Sequence, residues 1–207
     1  MDLPGRENPG LSAWRWSLDD YVTAVIETAM QSREPVIAVG HSMAGMVISA
    51  AAERAPEIFH RLIYLSAFLP RHGDSMVSLG AEDQTSQLAE ATSVSWLRGI
   101  VSIVPASAWP VFYGDCSEDD VRLALSRIRP EPIRPSLARA NLSENRFGTV
   151  ARSYIRCLQD RALSIGMQDQ MVTRQPCDRV ATLDASHSPV LSVPDRLAEA
   201  ILDVIPR

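Results

Sequence analysis

The sequence feature that most constrains the fold is an apolar run, residues 36–39, that leads directly into a serine between small residues. A run of this kind is typical of a parallel strand buried on both faces, and a helical pattern follows Ser42 at once. A serine on the sharp turn between such a strand and helix projects its hydroxyl above the sheet. There the first helical N–H groups can stabilise a developing oxyanion. The alternative is a helix that simply begins at a serine, as many helices do.

Composition narrows the classes of function. The 207 residues fit one domain with a sizeable core, and 46% of them are hydrophobic. A net charge of −5 argues against a nucleic-acid surface. No apolar run approaches the length of a membrane span, and the N-terminus does not resemble a secretory signal, so we predict a cytoplasmic protein. The three cysteines have no metal-ligand spacing, and we predict neither a metal site nor a cofactor.

Basic residues carry a second restriction. The sequence contains twenty arginines and no lysine. It therefore has no side-chain ε-amine that could form a Schiff base or act as a phosphate-loop lysine. The histidines number four. A general base for the serine must come mostly from this short set.

Hydrophobic periodicity predicts an α/β fold with a mostly parallel sheet flanked by helices. Strands are expected at residues 36–39, 62–65, 153–158 and 180–183, and Ser17 with Asp20 is expected to cap a helix before the first of them. Strand, helix and strand with short links form a crossover unit of such a sheet. The pattern loosens between these regions. We therefore predict a core formed by residues 1–70 and 147–207, interrupted by a mainly helical cap at residues 71–146.

An activated serine needs a base, and the base needs an orienting acid. Asp160 follows the third predicted strand and His187 follows the fourth, so both are expected at the same sheet edge as Ser42. Their order along the chain, Ser then Asp then His, is the one that this architecture uses. Asp184 is the alternative acid, although a strand residue is not expected to reach the far ring nitrogen. The alternatives are a turn histidine at position 187 and a strand-end cap at position 160.

These segments resemble the α/β-hydrolase superfamily, and within it the branch of salicylate methyl esterase-like carboxylesterases, pyrethroid hydrolases and hydroxynitrile lyases. The resemblance covers nearly the whole chain. It implies the α/β-hydrolase fold with a helical cap, Ser42 as nucleophile, Asp160 as acid and His187 as base. It also implies the Met43 N–H group as an oxyanion donor. The matching segments are Asp2-Leu3-Pro4-Gly5, residues 39–45, residues 154–161 and residues 183–195.

Two departures from the family pattern matter. Hydroxynitrile lyases of this branch need a lysine after the catalytic histidine, and Ser188 stands there, which favours ester hydrolysis. In the family, Asp-Leu-Pro-Gly follows the fourth strand, whereas here it opens the sequence. The expectation is therefore an N-terminally truncated fold without the His-Gly loop that supplies a second oxyanion N–H. A start site assigned too late and a shortened product are both compatible with this.

The sequence thus predicts a serine carboxylesterase for a small hydrophobic or aromatic ester, with the aromatic cap residues Trp96, Trp109, Phe112 and Tyr113 lining its pocket. A non-catalytic ligand-binding descendant is the first alternative. A lyase or haloperoxidase-like activity on the same residues is the second. The predicted partner is a small-molecule ester, without nucleic acid or membrane. Because the strand at residues 36–39 is expected to form an open apolar edge, self-association through it is also predicted.

Overall fold

The computed structural model describes residues 1–6 and 13–206 of the chain. The strands of this part are numbered in chain order. They are β1 (Val36–Ser42), β2 (Phe59–Ala67), β3 (Thr92–Ser95), β4 (Ile100–Ile103), β5 (Glu131–Pro132), β6 (Ala151–Cys157) and β7 (Arg179–Leu183).

The main sheet has four parallel strands in the order β1-β2-β6-β7. All four strands predicted from the sequence are present; β1, β2 and β7 extend beyond their predicted bounds, whereas β6 begins two residues earlier and ends one residue earlier than predicted. Consecutive residues of β2 face opposite sides, and both sides are covered: Leu62, Ile63 and Tyr64 are fully buried. The prediction of a mostly parallel sheet is therefore confirmed. The parallel order also brings the carboxyl ends of all four strands to one edge.

Helices cover both faces of this sheet. In the described part of the chain the α-helices are α1 (Leu18–Ala29), α2 (Ala44–Arg54), α3 (Met76–Glu82), α4 (Pro105–Phe112), α5 (Glu118–Arg127), α6 (Arg134–Leu137), α7 (Ile165–Arg174), α8 (Pro189–Ser192) and α9 (Pro194–Asp203). On one face of the sheet, α1, α2 and α7 pack against Leu62 and Tyr64, and on the other α9 packs against Ile63 and Leu65. Ser17 forms the predicted capping box with Asp20 at the start of α1. Within the described residues, no helix is both long and apolar enough to cross a bilayer.

Residues 71–146, predicted as a helical cap, contain more than helices. Helices α3 to α6 lie in this insertion, but so does an antiparallel sheet of β3, β4 and β5. The description of the cap as mainly helical is therefore incomplete. Short runs with β-branched residues on either side of Gly99 were the available signal, because a glycine at positive φ suits a hairpin turn. The limits of the insertion at 71 and 146 stay a prediction.

Strand β1 is an edge strand of the main sheet within the part of the chain that is described. Ile37 and Val39 are 37% and 45% exposed, and an open groove with an apolar lining runs along this edge. Unpaired backbone groups beside apolar side chains favour pairing with another chain. Self-association through this edge stays a prediction.

A lysine at position 39 tests that prediction. If β1 pairs with a second copy, Val39→Lys shifts the mass measured by light scattering from dimer to monomer, because a charge on the edge opposes pairing. Leu202→Lys, on an exposed position of α9, is the matched control. A monomeric unmodified protein, or a dimer that survives Val39→Lys, would contradict self-association through β1.

Candidate active site

Ser42 lies where β1 turns into α2, and its backbone is held in a rare conformation. Its φ is 55°, in the left-handed region that residues other than glycine seldom adopt, and α2 begins two residues later at Ala44. Such strain persists only where the surrounding structure over-determines it, and it is concentrated at functional sites. The turn therefore has the geometry expected of a nucleophile-bearing strand-to-helix turn.

Close packing explains the glycine three residues after the serine. A Cβ atom built on Gly45 would lie 2.2 Å from the Phe68 carbonyl oxygen, which belongs to the backbone after β2. The Phe68 N–H group in turn donates a hydrogen bond to the Ser42 carbonyl, at 3.1 Å. Only glycine lets α2 start this close to the chain beyond β2.

Adding a methyl group at position 45 is expected to destabilise the protein. Because the Phe68 backbone must move to admit the new Cβ, Gly45→Ala is expected to lower the free energy of unfolding by about 1–3 kcal/mol. Gly80 is the matched control, since nothing lies within 4 Å of a Cβ built there in α3. Gly80→Ala is expected to change that free energy by about 0.4–1 kcal/mol in the stabilising direction. Urea unfolding measures both, and equal effects of the two changes would contradict this account of the turn.

Met43 precedes α2, and its backbone is already helical. The first N–H groups of a helix have no intrahelical acceptor, so they point at an incoming anion. The Met43 side chain contacts the insertion, because the Ser136 hydroxyl donates to its sulfur at 3.5 Å. The N–H group predicted as an oxyanion donor therefore lies at a helix start partly covered by the insertion.

Asp160 and His187 form a buried pair. His187 Nδ1 lies 2.6 Å from Asp160 Oδ2, and the two residues are 3% and 6% exposed. Burial raises the pKa of Asp160, but the neighbouring His187 and the hydrogen bonds to the carboxylate outweigh it, so the pKa lies below its ordinary value. An ionised carboxylate accepts only, so it holds the imidazole proton on Nδ1 and leaves Nε2 free to accept another proton.

Three further groups fix the Asp160 carboxylate. The N–H groups of Ala162 and Leu163 donate to Oδ1 at 2.7 and 2.8 Å, and the Ser66 hydroxyl donates to Oδ2. Ser66, at the end of β2, is fully buried and has a φ of 37°. The sequence reasoning missed Ser66. Its only signal was its position at the carboxyl end of the strand next to β6.

The pair lies next to the turn that bears Ser42. The His41 ring is 4.6 Å from the His187 ring between centroids, and His41 Nε2 lies 2.7 Å from the His187 carbonyl oxygen. Burial, followed by the nearby His187, lowers the pKa of His41 to about 4, so this ring is neutral at pH 7 and donates from Nε2. Within the described residues, the Ser42 hydroxyl makes no hydrogen bond to the His187 ring. Such bonds are often long before substrate binds.

Asp184, the alternative acid, lies elsewhere. Its carboxylate accepts a hydrogen bond from Gln159 Nε2 at 2.7 Å and is exposed. The carboxylate that contacts His187 is that of Asp160. Among the described residues, no three histidine, cysteine or acidic side chains are grouped as a metal site.

The four aromatic cap residues are not brought together. The Phe112 ring is 9% exposed and lies 5.6 Å from the His187 ring, and Tyr113 is next to it. Trp109, 42% exposed, lines a groove of about 710 Å³ that runs past Asp160. Trp96 is 60% exposed and stacks on Trp14, away from this groove. Phe112 is thus the predicted pocket residue that reaches the acid–base pair.

Comparison with known proteins agrees with this architecture. A family model described as the alpha/beta hydrolase family matches residues 1–200. The chain is 29% identical over 201 residues to putative methylesterase 11, chloroplastic, of Arabidopsis thaliana. The aligned region covers 91% of this chain and 51% of that protein. The chain is 27% identical over 202 residues to salicylic acid-binding protein 2 of Nicotiana tabacum, covering 91% and 78%.

A solved structure shares the overall fold. The crystal structure of a pyrethroid hydrolase from Sphingobium faniae JZ-2 superposes with a TM-score of 0.84 at 25% identity, covering 98% of this chain and 83% of that one. The chain spans about half the length of the Arabidopsis methylesterases that it matches. The names of these relatives therefore describe longer proteins.

Proposed function

Because the chain belongs to the alpha/beta hydrolase family, we propose that it hydrolyses carboxylic esters through Ser42, His187 and Asp160. The observation that carries the proposal is the buried pair of His187 Nδ1 and Asp160 Oδ2, 2.6 Å apart, beside the strained turn at Ser42. An imidazole fixed in this way by a carboxylate is what a serine needs as its base.

The first half of the reaction forms an acyl-enzyme. His187 Nε2 takes the proton of the Ser42 hydroxyl as its oxygen bonds to the ester carbon, and the carbonyl becomes an oxyanion that the Met43 N–H group stabilises. The carbon–oxygen bond to the alcohol then breaks, and the His187 imidazolium gives its proton to the departing oxygen. Asp160 stays ionised throughout and stabilises the imidazolium.

The second half restores the enzyme. A water molecule gives a proton to His187 Nε2 as its oxygen attacks the acyl carbon. The bond to Ser42 breaks, and the serine oxygen recovers its proton from His187. The products are a carboxylic acid and an alcohol, with no redox change.

We further propose that the ester is small and either hydrophobic or aromatic. Phe112 at the His187 ring supplies an apolar wall, and the half-buried Tyr113 extends it. The names of the plant relatives refer to methyl esters and to salicylic acid, an aromatic acid, which supports the same class of substrate. Trp96, which stacks on Trp14, is not part of this wall.

Two measurements on the unmodified chain test the proposal. Hydrolysis of a short nitrophenyl ester reports turnover, and a fluorophosphonate probe followed by peptide mapping reports which serine reacts. We expect turnover together with labelling at Ser42. Folded protein without labelling at Ser42 would contradict the proposal.

Ligand binding without turnover is the second candidate. The observation that favours it is that the described structure has no hydrogen bond between the Ser42 hydroxyl and His187. Calorimetric binding of a hydrophobic ester, with no hydrolysis and no probe labelling, would establish this candidate instead.

A further inference from the structure

Two aspartates of the insertion each bind one serine of the core through the same pair of hydrogen bonds. Asp83 accepts hydrogen bonds from both the N–H group and the hydroxyl of Ser164, and Asp115 accepts both from Ser186. The two serines belong to the loops that carry the acid–base pair. These are the acid loop, residues 160–164, which contains Asp160, and the histidine loop, residues 184–188, which contains His187.

The first of these contacts fixes the acid loop. Asp83 lies 2.8 Å from Ser164 N and 2.6 Å from Ser164 Oγ, and both residues are 8% exposed. Ser86 and Gln87, on the same segment of the insertion, donate to the carbonyls of Ala162 and Arg161 at 2.7 and 2.8 Å. The N–H groups of Ala162 and Leu163 are the ones that orient Asp160. The insertion therefore fixes the backbone of the acid loop, and this backbone in turn orients the Asp160 carboxylate.

The second contact fixes the histidine loop. Asp115 accepts from Ser186 N at 3.0 Å and from the Ser186 hydroxyl, and Ser186, 2% exposed, immediately precedes His187. Burial raises the pKa of Asp115, but the hydrogen bonds to its carboxylate, first among them the two from Ser186, together outweigh it and hold the pKa below its ordinary value. Phe112, three residues earlier in the insertion, packs on the His187 ring. The base is thus restrained by the insertion through its backbone and through its ring.

We propose that Asp83 and Asp115 are positioning residues, through which the insertion sets the distance between the acid loop and the histidine loop. This inference rests on the proposed esterase function. A charge-assisted hydrogen bond that a backbone N–H group donates to a carboxylate is short and directional, and together with the bond from the hydroxyl it restricts the serine in both translation and rotation. The insertion then does more than cover the pocket, because the pair of Asp160 and His187 depends on it for alignment.

Alanine and asparagine variants test the proposal on the full chain. Asp115→Ala and Asp83→Ala remove both acceptors, whereas Asp115→Asn and Asp83→Asn keep one carbonyl oxygen that still accepts. Since a displacement of about 1 Å can cost about 100-fold in rate, we expect kcat to fall by about 10- to 100-fold in the alanine variants, with KM changed by less than about threefold. The asparagine variants are expected to recover part of that loss.

The rate of fluorophosphonate labelling at Ser42 is the second readout, because it needs the same base but no ester pocket. It is expected to fall in parallel with kcat. Asp119→Asn is the matched control, since Asp119 is an exposed insertion carboxylate that pairs only with Arg122 among the described residues. Each variant is measured well below its own unfolding midpoint.

The outcomes separate this inference from the function on which it rests. If the unmodified chain neither labels at Ser42 nor hydrolyses esters, the proposed function fails. If the unmodified chain reacts at Ser42 and the alanine variants lose thermal stability but keep kcat and labelling rate, the aspartates are structural only and the inference is overturned. A fall in kcat and labelling that asparagine partly restores supports it.

Discussion

Replacing Ser42 with alanine is expected to lower kcat/KM for a nitrophenyl ester by about 10⁴-fold or more, because no other group can form the acyl-enzyme. His187 and the Met43 N–H group stay in place, so only slow attack by water on bound ester remains. Labelling by a fluorophosphonate is expected to disappear altogether. Steady-state hydrolysis and mass spectrometry of the labelled protein measure the two effects.

The control for this change is Ser126→Ala, which alters an exposed serine of α5 whose hydroxyl, among the residues that the structure describes, bonds only to a carbonyl of its own helix. It is expected to keep full activity. If the Ser42→Ala protein still hydrolysed the ester at the rate of the unmodified protein, the nucleophile would be a different residue. Because Ser42 has a positive φ, the Ser42→Ala protein is not expected to gain stability from losing a hydroxyl, and its unfolding midpoint is a check on its fold.

Asp160→Asn is expected to have the second-largest effect, a fall in kcat of about 10³- to 10⁴-fold at pH 7. The N–H groups of Ala162 and Leu163 point at Oδ1, so the amide oxygen of an asparagine must take that position. Its NH₂ group then faces His187 Nδ1, which can only accept from it. The imidazole proton is therefore forced onto Nε2, on the side of Ser42. With that proton in place, Nε2 can no longer accept the proton of the serine hydroxyl.

Asp184→Asn is the matched control, because Asp184 is an exposed aspartate near the same strand ends, bonded to Gln159. It is expected to change kcat by less than about twofold, within the range of a surface substitution. If Asp184→Asn lost as much activity as Asp160→Asn, the assignment of the acid would be wrong. Since the pKa of Asp160 lies below its ordinary value, the carboxylate is ionised at pH 7, and its replacement is expected to remove both the acceptor for the Nδ1 proton and the negative charge beside the imidazolium.

The parts of the fold that the sequence predicted are those with local signals. The four parallel strands and the capping box at Ser17 follow from apolar runs and from capping chemistry within a few residues. The contact between Asp160 and His187 could be anticipated from chain order, because parallel strands bring their carboxyl ends to one edge. Chain order thus indicates a shared edge of the sheet but gives no distances.

The parts that could not be predicted depend on contacts between distant residues. Ser66 reaches Asp160 across 94 residues, and Asp83 reaches Ser164 across 81, with no pattern of spacing to mark either pair. Trp96 was expected in the pocket because it is an aromatic residue of the insertion. The hairpin of β3 and β4 carries it to Trp14 instead, and no local signal in the sequence indicates that direction. An aromatic side chain in an insertion does not by itself indicate which surface it will reach.

Strand β2 has a consequence for how the chain tolerates changes of length. Its side chains alternate between two different helical layers, and near its end the Ser66 hydroxyl donates a hydrogen bond to Asp160. Deleting one residue upstream of Ser66 within this strand would exchange the two sets of side chains and carry that hydroxyl to the opposite side of the sheet. Gains and losses of single residues are therefore confined to the connections on either side, and the length of the central strand is fixed by the core and the chemistry together.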